Sequence, residues 1–404
     1  MSLGLSIASV VLAAAAVPTT YEVGLRTEVR GATDNSGDLQ LNPAVSLTVP
    51  IRSLTFSASY LPRILELVPR HRGGFTVLHR GAFLGQWRTQ SDGRLFVDQQ
   101  ASYGTNAFSL LVAAAEGSTL TLDRLSELPP LLYFSETTTL GLEQPLSRIL
   151  RLTASAVYGV SGPADDAAKS QGLPLQRGPK GALTLAWLVR PRDTVSAAVR
   201  YSASYFSSVP GGGLPRAYIL EANAGWRHRF TRDELELGLG VAGSRDVWAD
   251  QSVHRYARPV ATVRLRREPT KRRFHRFGGN LRARLGPAID PITAFTYSRV
   301  EGLGEIDYLP IPKLKLTAGG GAALALSGSL SGQAVGLAGL AASYEIDRHF
   351  SLTGGVRLFS QGVSQTPPVV SQPPPVSQTP PAVSQTTTQW VGFVAVSLSY
   401  REPL

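Results

Sequence analysis

The chain has 404 residues, is 43% hydrophobic and 17% charged, and carries a formal net charge of +11 at pH 7. It has no cysteine, so a disulfide framework and a thiolate metal site are both excluded. Its charged fraction falls below the roughly 25% of ordinary soluble domains, while a mean hydropathy of zero is far too polar for a bundle of membrane helices.

The first 16 residues, MSLGLSIASVVLAAAA, combine an apolar stretch with a small-residue site at Ala14-Ala15-Ala16 and read as a cleaved secretory signal (1–16). Thereafter the dominant pattern is period-2 alternation. Tyr21, Val23, Leu25, Thr27 and Val29 alternate with Glu22, Gly24, Arg26, Glu28 and Arg30. A strand sends successive side chains to opposite faces, and an apolar core could not accept so charged a face without many pairings. A watery lumen accepts it readily. The alternation returns around Leu39–Val49, Leu54–Tyr60, Phe75–Trp87, Arg94–Tyr103, Leu131–Leu142 and Leu150–Tyr158. Its clearest case is Ala182–Tyr205, where Leu183, Leu185, Trp187 and Val189, then Val195, Val199, Tyr201 and Tyr205, share one face about the turn Pro191-Arg192-Asp193. Further strands are expected at Tyr218–Phe230, Glu234–Val241, Tyr256–Arg266, Phe277–Leu285, Pro291–Tyr308, Lys313–Leu326, Ala334–Ile346, Leu352–Leu358 and Trp390–Tyr400. Each arm of the clearest hairpin has the roughly 9–11 residues that cross a bilayer as a tilted strand.

The connections sort by parity. Those at Pro50, Gln90, Gln144, Pro191, Thr231, Arg267, Pro310 and Asp347 are short, and the interleaved ones include all the long ones. The latter are Leu61–Gly73, Gly104–Pro130 (a candidate plug, 104–130), Ser161–Gly181, Ser207–Pro215, Ser244–Ser252 and the Pro/Ser/Gln-rich repeat of 361–388. Short periplasmic turns facing long extracellular loops are the pattern of outer-membrane barrels. The expected fold is therefore all-β: a closed antiparallel transmembrane β-barrel over residues 17–400, of about 18 strands, with a short tail at 401–404.

Alternation assigns the faces. The lumen is expected to receive the cations Arg26, Arg30, Arg200, Arg227, Arg258, Arg264, Arg276, Arg282, Arg284, Lys313 and Lys315, with the acids Glu22, Glu28, Glu221, Glu234 and Glu236. The cations between Arg258 and Lys315 predict one strongly positive wall and a preference for anionic solutes. Tyr60, Tyr158, Trp187, Tyr201, Tyr205, Trp226, Phe230, Trp390 and Tyr400 are expected at the lipid interfaces. The arginines follow no recognition-helix or stacking pattern, so no nucleic-acid partner is expected.

No GxSxG, Walker-type, HExxH or EF-hand motif occurs, and the histidines lack metal-ligand spacing; no enzyme activity, cofactor or metal is expected. His79, beside Arg80, reads as a polar lumen residue.

The terminal strand resembles the insertion signal of bacterial outer-membrane proteins, which implies contact with the barrel-assembly machinery and residence among outer-membrane lipid. A narrower resemblance rests on Tyr60-Leu61-Pro62-Arg63, Leu78-His79-Arg80, Ser102-Tyr103-Gly104 and Leu173-Pro174-Leu175-Gln176-Arg177-Gly178-Pro179. These are similar to the myxobacterial-type barrels of Wzx/Wzy polysaccharide export. That resemblance implies an eighteen-stranded translocation channel for an exported exo- or capsular polysaccharide, acting with a periplasmic polysaccharide-export protein. A general or anion-preferring diffusion porin, and a barrel that merely presents surface loops, are the alternatives.

Overall fold

A computed structural model describes residues 19–32, 37–68, 75–106, 131–166, 169, 175–207, 215–248, 251–268, 276–289, 295–327, 334–364 and 384–403. These residues form a single closed sheet of antiparallel pairs that follows chain order, and the first strand pairs with the last. The strands are β1 (Thr20–Ala32), β2 (Gly37–Ile51), β3 (Leu54–Tyr60), β4 (Arg63–Val68), β5 (Phe75–Arg88), β6 (Arg94–Asn106), β7 (Leu131–Pro145), β8 (Leu150–Pro163) and β9 (Leu175–Arg190). They continue as β10 (Asp193–Ser207), β11 (Arg216–Arg229), β12 (Asp233–Val247), β13 (Val253–Arg267), β14 (Arg276–Ile289), β15 (Thr296–Ile311), β16 (Leu314–Ala325), β17 (Ala334–Glu345), β18 (Phe350–Ser364) and β19 (Ser384–Pro403). Segments β3 and β4 lie end to end between β2 and β5 and keep one register across Leu61-Pro62, so they are two halves of one span and the barrel has eighteen. Proline at that point has no N–H to give to the ladder, which is why the strand breaks there.

Closure leaves no edge strand, the condition for burying a sheet in hydrocarbon. One face of the sheet carries the large exposed apolar side chains, such as Leu220, Leu239, Val241, Leu340 and Val394. The outward band is interrupted between β6 and β7, where Gln99 Nε2 donates to Glu136 Oε1 at 2.9 Å. The turns at Arg52-Ser53, Thr89–Gly93, Leu146–Ile149, Pro191-Arg192 and Pro312-Lys313 are all short and all lie at the end shared by both chain termini. Arg52 and Asp92 take the left-handed backbone that such tight turns need. In the turn before β18, Asp347 Oδ1 accepts the backbone N–H groups of His349 and Phe350 at 2.6 and 2.8 Å. These bonds hold its carboxyl below the usual carboxylate range.

Three element boundaries differ from the alternation reading. The Pro/Ser/Gln-rich segment is not loop throughout, because Gln361–Ser364 pairs with Ser384–Thr387 and extends the β18–β19 hairpin. Residues 401–403 are not a free tail; they complete β19 opposite Thr20–Glu22 of β1. Strand β6 runs on to Asn106, and the remainder of the candidate plug, residues 107–130, lies outside the described residues, as do residues 1–16.

Glycine shapes the lumen wall where aromatics lie over it. Phe96 of β6 faces Gly141 of β7 across the ladder, and a Cβ at 141 would run into the Phe96 ring. A Gly141→Val barrel is expected to lose about 1–3 kcal/mol through overpacking, read as a lower melting temperature of the folded band in SDS gels. Adding Phe96→Ala should recover most of that loss.

Candidate functional site: the barrel lumen

Contacts between strands that are not neighbours identify the concave face, since only there can side chains meet across intervening strands. In the extracellular half of the barrel these contacts form three networks. Glu221 on β11, only 3% exposed, accepts Arg200 Nη1 (2.9 Å) from β10 and Arg284 Nη2 (2.9 Å) from β14, with Asn223 Nδ2 at 3.0 Å. Glu28 on β1 accepts Arg26 at 2.8 Å and is met at 3.4 Å by Arg357 from β18, whose guanidinium lies 4.0 Å over the Phe393 ring. Beside it Arg30, Gln40 and Arg63 are buried together. With its amide turned to satisfy both arginines, the Gln40 carbonyl accepts from Arg63 Nη2 at 2.9 Å.

The third network joins β12, β13 and β15. Arg258 Nη1 donates to Ser244 Oγ (2.6 Å) and Thr296 Oγ1 (2.8 Å), and Nη2 to the Thr296 carbonyl (2.9 Å). Asp246 Oδ2 accepts the Thr296 backbone N–H (3.0 Å) and hydroxyl (2.9 Å). Trp248 stacks on His254 and Phe295, with centroids 4.3 and 4.7 Å apart, at the extracellular end of the same strands.

The periplasmic half is organised differently. There the lumen-facing Arg264 and Arg266 are exposed; Arg266 pairs with Glu268 at 3.4 Å, while Arg264 stands between Glu236 in the β12–β13 register and Arg282 in the β13–β14 register. Like charges placed opposite one another destabilise a ladder, and Arg264 makes no ion pair with a described residue to offset that cost. Arg227, Arg276, Glu22, Glu234 and Glu236 share the lumen-facing register of this half. Lys315 is held by Asp307 at 3.0 Å. Fixed charge beside a water-filled path concentrates solutes of opposite sign.

Residues 2–369 match the model of the EpsX exopolysaccharide export family. The chain belongs to that family. Among solved structures it is similar to the FrpB iron transporter of Neisseria meningitidis. The F5-1 variant in its apoprotein form gives a TM-score of 0.51 at 9% identity, over 97% of this chain and 83% of that one. The outer membrane protein OpdK of Pseudomonas aeruginosa gives 0.48 at 11% identity, over 95% and 99%. At such identities the likeness is one of fold. No curated protein matches the sequence. The protein is an outer-membrane β-barrel.

The EpsX-family lumen departs from the alternation reading in four places. Lys313 is not on the wall: β15 ends at Ile311, and Lys313 sits in the tight turn, where its ammonium donates to the Ile346 carbonyl at 2.9 Å. His79 faces outward, because its register partner is the exposed Tyr103; its Nδ1 lies 2.6 Å from Tyr60 Oη. The positive wall from Arg258 to Lys315 is broken by carboxylates on β15, where Glu301 pairs with Arg299, Asp307 with Lys315, and Glu305 is buried. Finally, β12 extends to Val247, so Ser244 and Asp246 belong to the wall instead of a loop. Their even-numbered places, following Gly238, Gly240 and Ala242 on the inward face, were the signal available in the sequence.

On the outer face of the EpsX-family barrel, Tyr205 and Trp390 lie towards the extracellular side and Trp187, Trp226, Phe230 and Tyr400 towards the periplasmic side, whereas Tyr60, Tyr158 and Tyr201 stand near mid-height of their spans. Trp226 Nε1 donates to Asp193 at 3.1 Å, and the Phe230 ring packs edge-on against His228 at 4.4 Å. Amphipathic rings suit the boundary between hydrocarbon and headgroups, which the rings near the strand ends approach and those at mid-span do not.

Proposed function

We propose that this EpsX-family barrel is the outer-membrane passage for an exported acidic polysaccharide, handed over at the periplasmic rim by a polysaccharide-export protein. It acts by conducting the chain, without a chemical step. The observation that carries the reading is the difference between the two halves of the lumen. Exposed Arg264, facing Arg282, and exposed Arg266, opposite Asn280 and paired with Glu268, line the half where the polymer would enter. In the extracellular half, buried networks around Glu221, Asp246 and Glu28 tie the arginines down. Anionic sugars are thus drawn in from the periplasm and meet mostly tied-down arginines on the way out, with Lys180 of β9 still exposed there, so entry is favoured over retention at the exit. An eighteen-stranded barrel is of the size class that leaves an aqueous channel, which can take an extended sugar chain.

Deleting the gene is expected to abolish surface polysaccharide while polymer accumulates in the periplasm, with export restored by the gene in trans. Normal surface polymer in the deletion strain would overturn the reading. The exposed arginines would then favour an anion-preferring diffusion porin.

A further inference from the structure

The lipid-facing surface carries a group of cations that the lumen does not account for. On the outward face, at the extracellular ends of β9, β11, β12 and β13, stand Arg177, Arg216, Arg245 and Arg255, all exposed. The ladder arranges them in two rows. Arg177 and Arg216 flank Tyr205 on the strands either side of it. One row nearer the membrane centre, Tyr218 pairs with Arg245, and Arg245 with Arg255. The last two are like charges directly opposite one another, a destabilising placement, and none of the four makes an ion pair with a described residue.

The surface between them is concave. A groove of about 440 Å³ is lined by Tyr201, Tyr218, Leu220, Arg245 and Arg255, and a second of about 280 Å³ by Arg177, Tyr205 and Arg216. Gly243 and Ala257 form the floor of the larger groove, and the position a Cβ would take at Gly243 is open space. Below the arginines, the outward residues are Leu220, Leu239, Val241 and Val199, so the floor runs into the hydrocarbon-facing band. The outward acidic side chains that could neutralise such a cluster are absent among the described residues of these strand ends.

We propose that this face binds an anionic lipid of the outer leaflet, a phosphorylated, acylated glycolipid of the lipid A class. Its phosphates would bridge Arg245 and Arg255, with Arg177 and Arg216 at the rim, and its acyl chains would descend over Leu220 and Val241. Arginine suits the task because its planar fork grips phosphate oxygens in pairs. The tyrosines present a ring to the chains and a hydroxyl to the headgroup. The bound anion offsets the Arg245–Arg255 repulsion. Height selects the ligand: the cluster lies at the headgroup level of the outer leaflet, not the inner.

The test is native mass spectrometry of the full-length protein in detergent, with diphosphoryl lipid A, phosphatidylcholine or inorganic phosphate added at equal concentration. The wild type should retain lipid A at least about tenfold better than phosphatidylcholine, and Arg245→Gln with Arg255→Gln should remove most of that preference. Arg192→Gln with Arg232→Gln, at the opposite rim, should leave it intact. Equal retention of both lipids, or a double variant that keeps lipid A like the wild type, would overturn the proposal. Displacement of lipid A by inorganic phosphate would also overturn it, since the site would then recognise a free ion. Should the double variant fail to fold, the headgroup comparison on the wild type decides alone.

Discussion

An Asp246→Ala barrel is expected to lose about 3–5 kcal/mol of stability, the cost of removing one partner from a buried, charged network. Asp246 is 2% exposed and provides an acceptor for both the backbone N–H and the hydroxyl of Thr296. Thr296 in turn accepts from Arg258, itself 8% exposed. Without the carboxylate, the Arg258 guanidinium stays buried against neutral oxygens alone, and a backbone N–H at the start of β15 loses its acceptor. Asp246→Asn separates these effects. It keeps an oxygen for Thr296 and removes the charge, so it should fall between the wild type and Asp246→Ala. Urea unfolding in detergent, followed by tryptophan emission, measures both; an Asp246→Ala midpoint equal to that of the wild type would dismiss the network as a structural element. Because Trp248 stacks on His254 and Phe295 at the extracellular end of the network, loss of order there should also shift the emission of the folded state.

The second large effect concerns selectivity. In a bilayer under a salt gradient, the wild-type channel is expected to prefer anions, and Arg264→Glu with Arg266→Glu to move the reversal potential towards cation preference, by several-fold in permeability ratio. Both side chains are exposed to the lumen, and the Arg266–Glu268 ion pair that the change breaks is itself exposed, so the substitutions should leave assembly unharmed. The shift should fade near 1 M salt, where the screening length contracts to about 3 Å. Arg200→Gln provides the contrast: its guanidinium is committed to Glu221, and its loss should change stability more than selectivity. If the Arg264/Arg266 variant and the wild type reverse at the same potential, the surplus charge of the periplasmic half does not govern passage.

The two tests probe features that differ in how far the sequence alone reveals them. Alternation at Tyr21–Arg30 and Ala182–Tyr205 determines that the chain makes two-faced strands, because the side-chain period of a strand is fixed by backbone geometry. The parity of the loops determines closure and sidedness, since only a membrane barrel has reason to put its short turns at one end. Together these decide a barrel of about eighteen spans and the outward tyrosines and tryptophans, as well as the inward register of Arg264, Arg282 and Glu221.

Pattern is weaker where both faces are mixed. In Phe75–Arg88 the set holding Leu78, Arg80 and Gln86 is hardly more polar than the set holding His79, Gly81 and Trp87, and only the pairing of His79 with Tyr103 settles its direction. Lys313 sits in a turn, where a strand's exact end moves a side chain off the wall altogether. Above all, alternation assigns a face but no neighbour beyond the adjacent strand. The meeting of Arg284 with Glu221 across β11 to β14, and of Arg357 with Glu28 across β18 to β1, depends on barrel curvature, and that arises only when the whole sheet closes. The sequence by itself therefore determined the barrel and the face of most charges. Tertiary structure alone decided which arginines are buried and satisfied and which stand open to a passing anion, because curvature and strand stagger set those distances.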